Sequence, residues 1–254
     1  MIDLHCHILP GIDDGADSPE TARQMVDAAA EQGIEAIAAT SHYSVSGDAG
    51  YDRAFEALAE YASGRGVKLL TGMEYDYDRL SEIPDEKLRT VGNGGYLLVD
   101  LKQPYVSSSM DHLLFDIRLR GRKIIVAHPE RLWQLNFREN LKKLSGSPAM
   151  QFNCGSFLGR YGRHVCRAVW AMLLECPKCL IGGDAHKVNN ICAKECMELL
   201  KEYFPAELVD VWMVENPRRV IAGEELKKNV VKMDFKRRLK LQMALLTGKI
   251  HRRY

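Results

Sequence analysis

The chain opens Met1-Ile2-Asp3-Leu4-His5-Cys6-His7, a short apolar run that ends in two histidines spaced by two. A later run, Cys179-Leu180-Ile181-Gly182, ends in a similar way, in Gly183-Asp184-Ala185-His186. On an extended strand residues i and i+2 project from one face, so each pair aims both side chains at one point. Between the two lie further strand-like runs at residues 34–39, 67–72, 96–101, 123–127 and 149–153, separated by helical patterns. That alternation predicts a βα repeat of seven strands. His42, Glu74, Asp100, His128 and Cys154 each stand at or just past the carboxyl end of a successive run. An open doubly wound sheet would spread such residues along a line, whereas a (β/α) barrel gathers them on one rim, where such enzymes place their active sites. The expected fold class is α/β, and the strand-end order favours the barrel.

Punctuation along the chain fits this reading. Ser18 as N-cap, Pro19 at the first helical position and Glu20 near the positive dipole end open a helix that Gly33 stops, with Ala22, Met25, Ala28 and Ala29 as its apolar face. Further helices are expected at 51–63, 110–119, 136–144, 162–174, 190–203 and 206–211. At 254 residues, with 46% hydrophobic and 27% charged residues, one large domain is the default. The net charge of +1 gives no reason to expect a nucleic-acid partner. No apolar run reaches the ~18 residues of a membrane span, and seven cysteines without framework spacing fit reduced thiols in the cytoplasm.

Composition shifts after Gly223. Beyond Glu225, Lys227, Lys228, Lys232, Lys236, Arg237, Arg238, Lys240, Lys249, Arg252 and Arg253 stand against the single acid Asp234. Residues 1–223 therefore read as the barrel and 224–254 as a basic C-terminal helix or tail. Phe235, Leu239, Gln242, Met243 and Leu246 give the tail a helical stripe, expected to pack on the barrel with the basic face in water. A sharper reading is a surface helix that meets anionic lipid, polymer or a partner.

Imidazole and carboxylate together, without thiolate clusters of zinc-finger spacing, suit a catalytic manganese, iron or zinc site. Nine candidates, His5, His7, Asp14, His42, Glu74, Asp100, His128, Asp184 and His186, are too many for one ion and suffice for two or three. A carboxylate such as Glu74 could bridge two ions ~3.5–4 Å apart, the spacing that serves in-line displacement at phosphorus.

These residues carry a resemblance. His5-Cys6-His7 with Leu9-Pro10-Gly11-Ile12-Asp13-Asp14-Gly15, Thr40-Ser41-His42, Gly72-Met73-Glu74, Ala127-His128-Pro129-Glu130-Arg131 and Gly183-Asp184-Ala185-His186 resemble the polymerase and histidinol phosphatase (PHP) family. With the stretch from Gln151 to Gly162 and Glu215-Asn216-Pro217-Arg218, the chain is more closely similar to the family's bacterial capsular-polysaccharide branch of manganese-dependent protein-tyrosine phosphatases. The resemblance runs to about residue 223 and implies a distorted seven-stranded, PHP-like (β/α) barrel with three ions at its carboxyl rim. It assigns His5, His7, Glu74 and Asp184 to the first ion, Glu74, Asp100 and His128 to the second, and Asp14, His42 and His186 to the third. Two positions depart from the branch pattern. Asp100 stands where a glutamate is usual, and Lys187 and Lys194 follow His186 where an arginine is usual. Lysine offers a point charge in place of a bidentate fork.

The implied chemistry is in-line attack by ion-activated water on the phosphotyrosine of a protein, a bacterial tyrosine kinase being the expected partner. Arg131 and Lys187 are the expected catalytic cations, and Arg160, Tyr43 and Tyr105 the expected substrate contacts. Three other readings compete. Cys154 and Arg160 form Cys-x5-Arg, the spacing of a cysteine phosphatase loop, although the apolar residues between them argue for a core thiol. The same ions would serve a small-molecule phosphatase of the histidinol-phosphate type. A catalytically weakened regulatory protein of polysaccharide export is the third. Cys176-Pro177-Lys178-Cys179 has redox spacing but falls at a helix-to-strand turn, and reads as structural.

Overall fold

The structure, a computed structural model, describes residues 1–43, 50–102, 108–132, 148–231, 233–248 and 250, with backbone alone at 108–111. The expected helix at 136–144 and Tyr105 lie outside the described residues. Among the described residues eight parallel strands form two sheets. β1 (Ile2–Cys6), β2 (Ala36–Ala39) and β3 (Lys68–Thr71) make the first. The second runs in order through β4 (Glu74–Asp76), β5 (Tyr96–Asp100), β6 (Lys123–Ala127), β7 (Ala149–Asn153) and β8 (Cys179–Gly182). Bridges join the sheets at both edges, Cys6 with Ala185 and His42 with Glu74.

Around them, α1 (Pro19–Glu31) and α2 (Tyr51–Gly64) pack together. α3 (Tyr77–Leu80), α4 (Ser108–Leu119), α5 (Cys154–Phe157), α6 (Arg163–Glu175), α7 (Ala193–Lys201), α8 (Ala206–Asp210) and α9 (Asn216–Ile221) follow in chain order. No helix of the described residues is long and apolar enough to cross a membrane. α1 is capped as its sequence predicts: the Thr21 amide donates to the Ser18 hydroxyl, Pro19 opens the helix and Gly33 follows it at φ +74°. Its buried face is Ala22, Met25, Val26 and Ala29, with Ala28 only half-buried at its edge.

The eighth strand is a departure from the expected seven, and Tyr51 explains it. The buried Tyr51 hydroxyl donates to the Ala39 carbonyl at 2.8 Å and accepts from the Gly72 amide at 3.1 Å. A side chain thereby takes the place of one rung between β2 and β3. Beyond the interruption pairing resumes, with the Glu74 amide on Ser41 O at 3.1 Å and the Tyr43 amide on Glu74 O at 2.8 Å. Gly72 has to be small here, since a Cβ would stand 2.9 Å from the Thr40 methyl.

Apolar residues divide into two clusters. The larger lies under the helices and includes Met25, Ile37, Phe152, Phe157, Trp170, Phe204 and Trp212. The smaller collects Leu4, Ala38, Leu70, Leu98, Ile125, Ala149 and Leu180, one or two residues from each of seven strands. Period-two alternation continues that inner face to Thr40 and His42 beyond β2, to Asp100 in β5, to Gln151 and Asn153 in β7 and to Asp184 beyond β8. The β1–β2 register slips between Asp3 and Cys6, the point at which His5 joins the polar set. An apolar floor thus gives way to polar residues at the carboxyl ends of the strands.

Asn216 and Asn229 tie the segment after Gly223 to this body. The Asn216 side chain donates to Cys179 O at 2.9 Å and accepts from the Lys227 amide at 2.8 Å. Asn229 donates to Leu173 O and Cys176 O and accepts from the Trp212 indole. A basic helix, α10 (Phe235–Thr247), follows, but its packing reverses the expected one. Leu241 and Ala244 are buried, whereas the stripe of Phe235, Leu239, Gln242, Met243 and Leu246 faces outward.

Replacing Tyr51 with Phe leaves the Ala39 carbonyl and the Gly72 amide without their shared hydroxyl. The variant should lose about 2 kcal/mol, the cost of orphaned buried polar groups, read as a lower denaturant midpoint. An unchanged midpoint would mean that the two strands close the gap by themselves.

Candidate metal centre

Glu74 occupies the middle of the polar rim and is fully buried. Its Oε1 lies 3.0 Å from His128 Nε2. Oε2 lies 3.3 Å from both His5 Nε2 and His7 Nε2 and 3.1 Å from His42 Nδ1. Across the pocket Asp184 Oδ1 is 3.4 Å from His5 Nε2, 3.3 Å from His7 Nε2 and 3.6 Å from His186 Nδ1. Asp14 closes the outer side, 3.6 Å from His42 Nε2 and 3.3 Å from His186 Nε2. Asp100 joins Glu74 and His128, with one ligand atom of each within 4.8 Å of the others. All nine candidate ligands therefore converge. They fall into overlapping groups that could hold an ion: His7, Asp14, His42 and His186; His5, His128 and Asp184; His5, His7 and Glu74; Glu74, Asp100 and His128.

Hydrogen bonding behind the rings decides what they present. His5 Nδ1 lies 2.8 Å from Gln151 Oε1, and the Gln151 amide is oriented by its NH2 donating to Phe152 O and Asn153 Oδ1. A carbonyl oxygen only accepts, so Nδ1 carries a proton and Nε2 is the ring nitrogen turned inward, whose own proton an ion would displace. His7 repeats the arrangement, with Nδ1 donating to Asp13 Oδ2 at 2.7 Å. The two Nε2 atoms then face each other at 3.2 Å among carboxylate oxygens. Glu74 Oε2 and His42 Nδ1 are buried yet make no well-aligned hydrogen bond, although they lie 3.1 Å apart. Ring nitrogens and carboxylate oxygens converging from buried side chains are the donor arrangement of a divalent cation, and imidazole with carboxylate is the right donor chemistry.

Charges shift accordingly. Burial works against a charged imidazole, but Glu74 and Asp184 outweigh it and lift His5 to about 9. Burial pushes the Glu74 carboxyl up, yet the surrounding imidazoles hold it well below the usual carboxylate range. Asp184 is likewise held low, by His5, His7, His128 and Arg131 against its burial. His128 and Asp184 both sit at positive φ, 30° and 51°, a backbone cost that clusters at functional sites.

Several supporting residues escape a reading by ligand type. Asp13 accepts from His7, from the His42 amide at 2.8 Å and from the Gly15 amide at 3.0 Å, binding the Asp13-Asp14 loop to two ligand histidines. Gly15 is required because a Cβ would overlap the His7 carbonyl oxygen. The buried Asp3 accepts from the His5 and Gly183 amides and so fixes β1 against the loop carrying Asp184. Asn153 donates to Asp184 Oδ2, and the fully buried Glu130 accepts from the Asn153 amide and Ser156 hydroxyl. Inward polar residues at alternate positions, Gln151 and Asn153, are the one sequence signal that could have found part of this set.

The other expected site residues divide. The Arg131 guanidinium donates to Asp184 Oδ2 at 2.5 Å and lies 4.6 Å over the Tyr161 ring, beside the pocket. Tyr43 is half-buried against the larger apolar cluster, its ring 5.5 Å from that of the buried Tyr75. Lys187 is exposed. Arg160 is held away from the pocket's ligands by Asn189 O and Glu195. Cys154 is fully buried, and burial with the Cys196 contact keeps its thiol well above the ordinary range despite a Cys192 hydrogen bond that lowers it. A protonated, inaccessible sulfur is a poor nucleophile, which argues against the Cys-x5-Arg reading. Cys176 and Cys179 are buried free thiols that donate to backbone carbonyls.

The profile of one family, capsular polysaccharide synthesis CpsB/CapC, matches residues 1–222. This chain belongs to the CpsB/CapC family. It is 29% identical over 244 residues to the tyrosine-protein phosphatase YwqE of Bacillus subtilis, covering 89% of this chain and 93% of that protein. Identity to the putative tyrosine-protein phosphatase CapC of Staphylococcus aureus is 24% over 254 residues, covering 94% and 98%. A solved structure from work on YwqE of B. subtilis and CpsB of Streptococcus pneumoniae, described as unique metal-dependent tyrosine phosphatases, superposes with a TM-score of 0.77. It is 27% identical and covers 91% of this chain and all of that one.

If Asp13 orients His7 for an ion, Asp13→Asn should weaken manganese affinity about 10- to 100-fold while the fold persists. Titration calorimetry of the metal-stripped protein measures this, and Glu74→Gln should lose still more. Wild-type affinity in Asp13→Asn would take Asp13 out of that role.

Proposed function

We propose that this chain is a metal-dependent protein-tyrosine phosphatase of capsular or exopolysaccharide biosynthesis. The observation that carries the reading is Glu74, a buried carboxylate facing four imidazoles with one oxygen unpaired, in a family whose solved relatives are metal-dependent tyrosine phosphatases. The architecture we infer is the distorted seven-stranded (β/α) barrel: β3 and β4 count as one bent strand, and the two edge bridges close the ring. Residues 1–223 form this catalytic unit and 224–254 the basic extension. Seven buried free thiols support a reducing, cytoplasmic setting.

Ions, manganese by preference with iron or zinc as alternatives, would be held by His5, His7, Glu74 and Asp184, by Glu74, Asp100 and His128, and by Asp14, His42 and His186. Bound there, they would supply a water of lowered pKa and Lewis-acid stabilisation of phosphoryl oxygens. The protein's own groups do the rest. Gln151 and Asp13 fix the tautomers of His5 and His7. Arg131 spends one NH2 on Asp184 and keeps the remaining donors for equatorial oxygens of the phosphoryl group, with the Tyr161 ring beneath to hold its plane. Tyr43, half-buried beside His42, is the aromatic contact we infer for an incoming tyrosyl ring. A phenolate of pKa ≈ 10 leaves with little protonation help, so phosphotyrosine is an easier substrate than an alkyl phosphate. Lys187 is exposed next to His186, and Arg160 can approach the phosphate only by releasing Glu195 and Asn189. The natural substrate we infer is a phosphotyrosine protein, a bacterial tyrosine kinase.

Chelation should abolish hydrolysis of a phosphotyrosine peptide, and manganese should restore it. Equal turnover by stripped and reconstituted protein would sink the proposal. Arg131→Ala should lower kcat about 10²- to 10³-fold with metal content unchanged. Cys154→Ser should leave turnover intact, and histidinol phosphate should be the poorer substrate.

A further inference from the structure

α10 lies beyond the family profile, which ends at residue 222, and has an apolar face that nothing among the described residues covers. It is a well-specified helix: Asp234 caps it through the Arg237 amide at 2.8 Å, and Gly248 ends it at φ 68°. Leu241 and Ala244 fasten it to the core, with Lys240 donating to Glu202 O and lying over the Tyr203 ring. On the outer side Phe235, Leu239, Met243 and Leu246 are 79%, 46%, 51% and 67% exposed. Their spacing of four, four and three draws one stripe down a helix about 20 Å long.

Charge selects the occupant. No acid lies within 235–247, Lys236 and Arg238 flank the stripe on its two sides, and Lys228 adds an exposed cation before the helix. In a two-fold pairing of α10 with a second copy, the cations flanking the stripe would meet another acid-free helix and find no opposite charge. An anionic bilayer has no such conflict, because the stripe enters the acyl boundary while the flanking cations meet headgroups. We propose that α10 is a membrane-surface anchor that docks the enzyme on anionic lipid. The helix rests against Tyr203, past the far end of α7, and α7 runs away from the metal-binding rim, so the docked enzyme keeps that rim clear of the bilayer.

Sedimentation of the full chain with phosphatidylcholine vesicles, with and without phosphatidylglycerol, tests this. Binding should require phosphatidylglycerol and weaken with salt. Lys236→Gln with Arg238→Gln should lower vesicle affinity about 25-fold, near fivefold per charge. Leu239→Glu with Met243→Glu should abolish binding, with melting temperature and turnover on a soluble aryl phosphate unchanged. Emission from Leu239→Trp should shift to the blue on vesicles. Absence of wild-type binding, or equal binding by the variants, overturns the proposal. So does a wild-type dimer that Leu239→Glu with Met243→Glu dissociates without any vesicle binding.

Discussion

A carboxylate stripped of water inside a protein is costly unless cationic or hydrogen-bonding groups surround it, and Glu74 is that carboxylate here. Its neighbours come from three segments: His5 and His7 from the end of β1, His42 from beyond β2, and His128 from beyond β6. Asp184 repeats the demand from β8 and draws in Arg131 and Asn153. Parallel strands deliver all their carboxyl ends to one edge, so a single arrangement of strands answers both carboxylates. The positive φ values at His128 and Asp184 show the backbone bending to do so.

Much of the architecture is legible in the sequence wherever the cause is local. Ser18, Pro19 and Gly33 bound α1, and β6, β7 and β8 have the limits their apolar runs suggest. The convergence of the nine candidate ligands is legible too, because parallel strands bring residues at successive carboxyl ends to one edge. What stays hidden depends on contacts distant in sequence. The break between β3 and β4 is made by a hydroxyl on α2. Gln151 acts on a histidine 146 residues away. Asp13 looks no different from its neighbour Asp14 until the loop folds, when one turns to His7 and the other to His42 and His186.

The tail teaches a separate lesson. Periodicity reveals that α10 has an apolar stripe but not which way it faces, and Leu241 with Ala244 makes a second, smaller apolar face. Leu241 and Ala244 meet the body, whereas Phe235, Leu239, Met243 and Leu246 on the other side stay in solvent. Glu130, Asn153 and Ser156 behave in the opposite manner, as polar residues that a hydropathy pattern would send outward and that hydrogen bonding holds inside.

The Tyr51 hydroxyl makes the first turn of α2 a mechanical neighbour of the chemistry. Two strands and a helix share one oxygen atom, and Glu74 begins two residues beyond the point where that atom interrupts the ladder. A slight roll of α2 therefore reaches Glu74 along the backbone rather than through the solvent. Changes in the α1–α2 packing, far from any ligand atom, would thus retune the distance between Glu74 and its histidines, giving evolution a remote adjustment of metal preference that leaves every ligand in place.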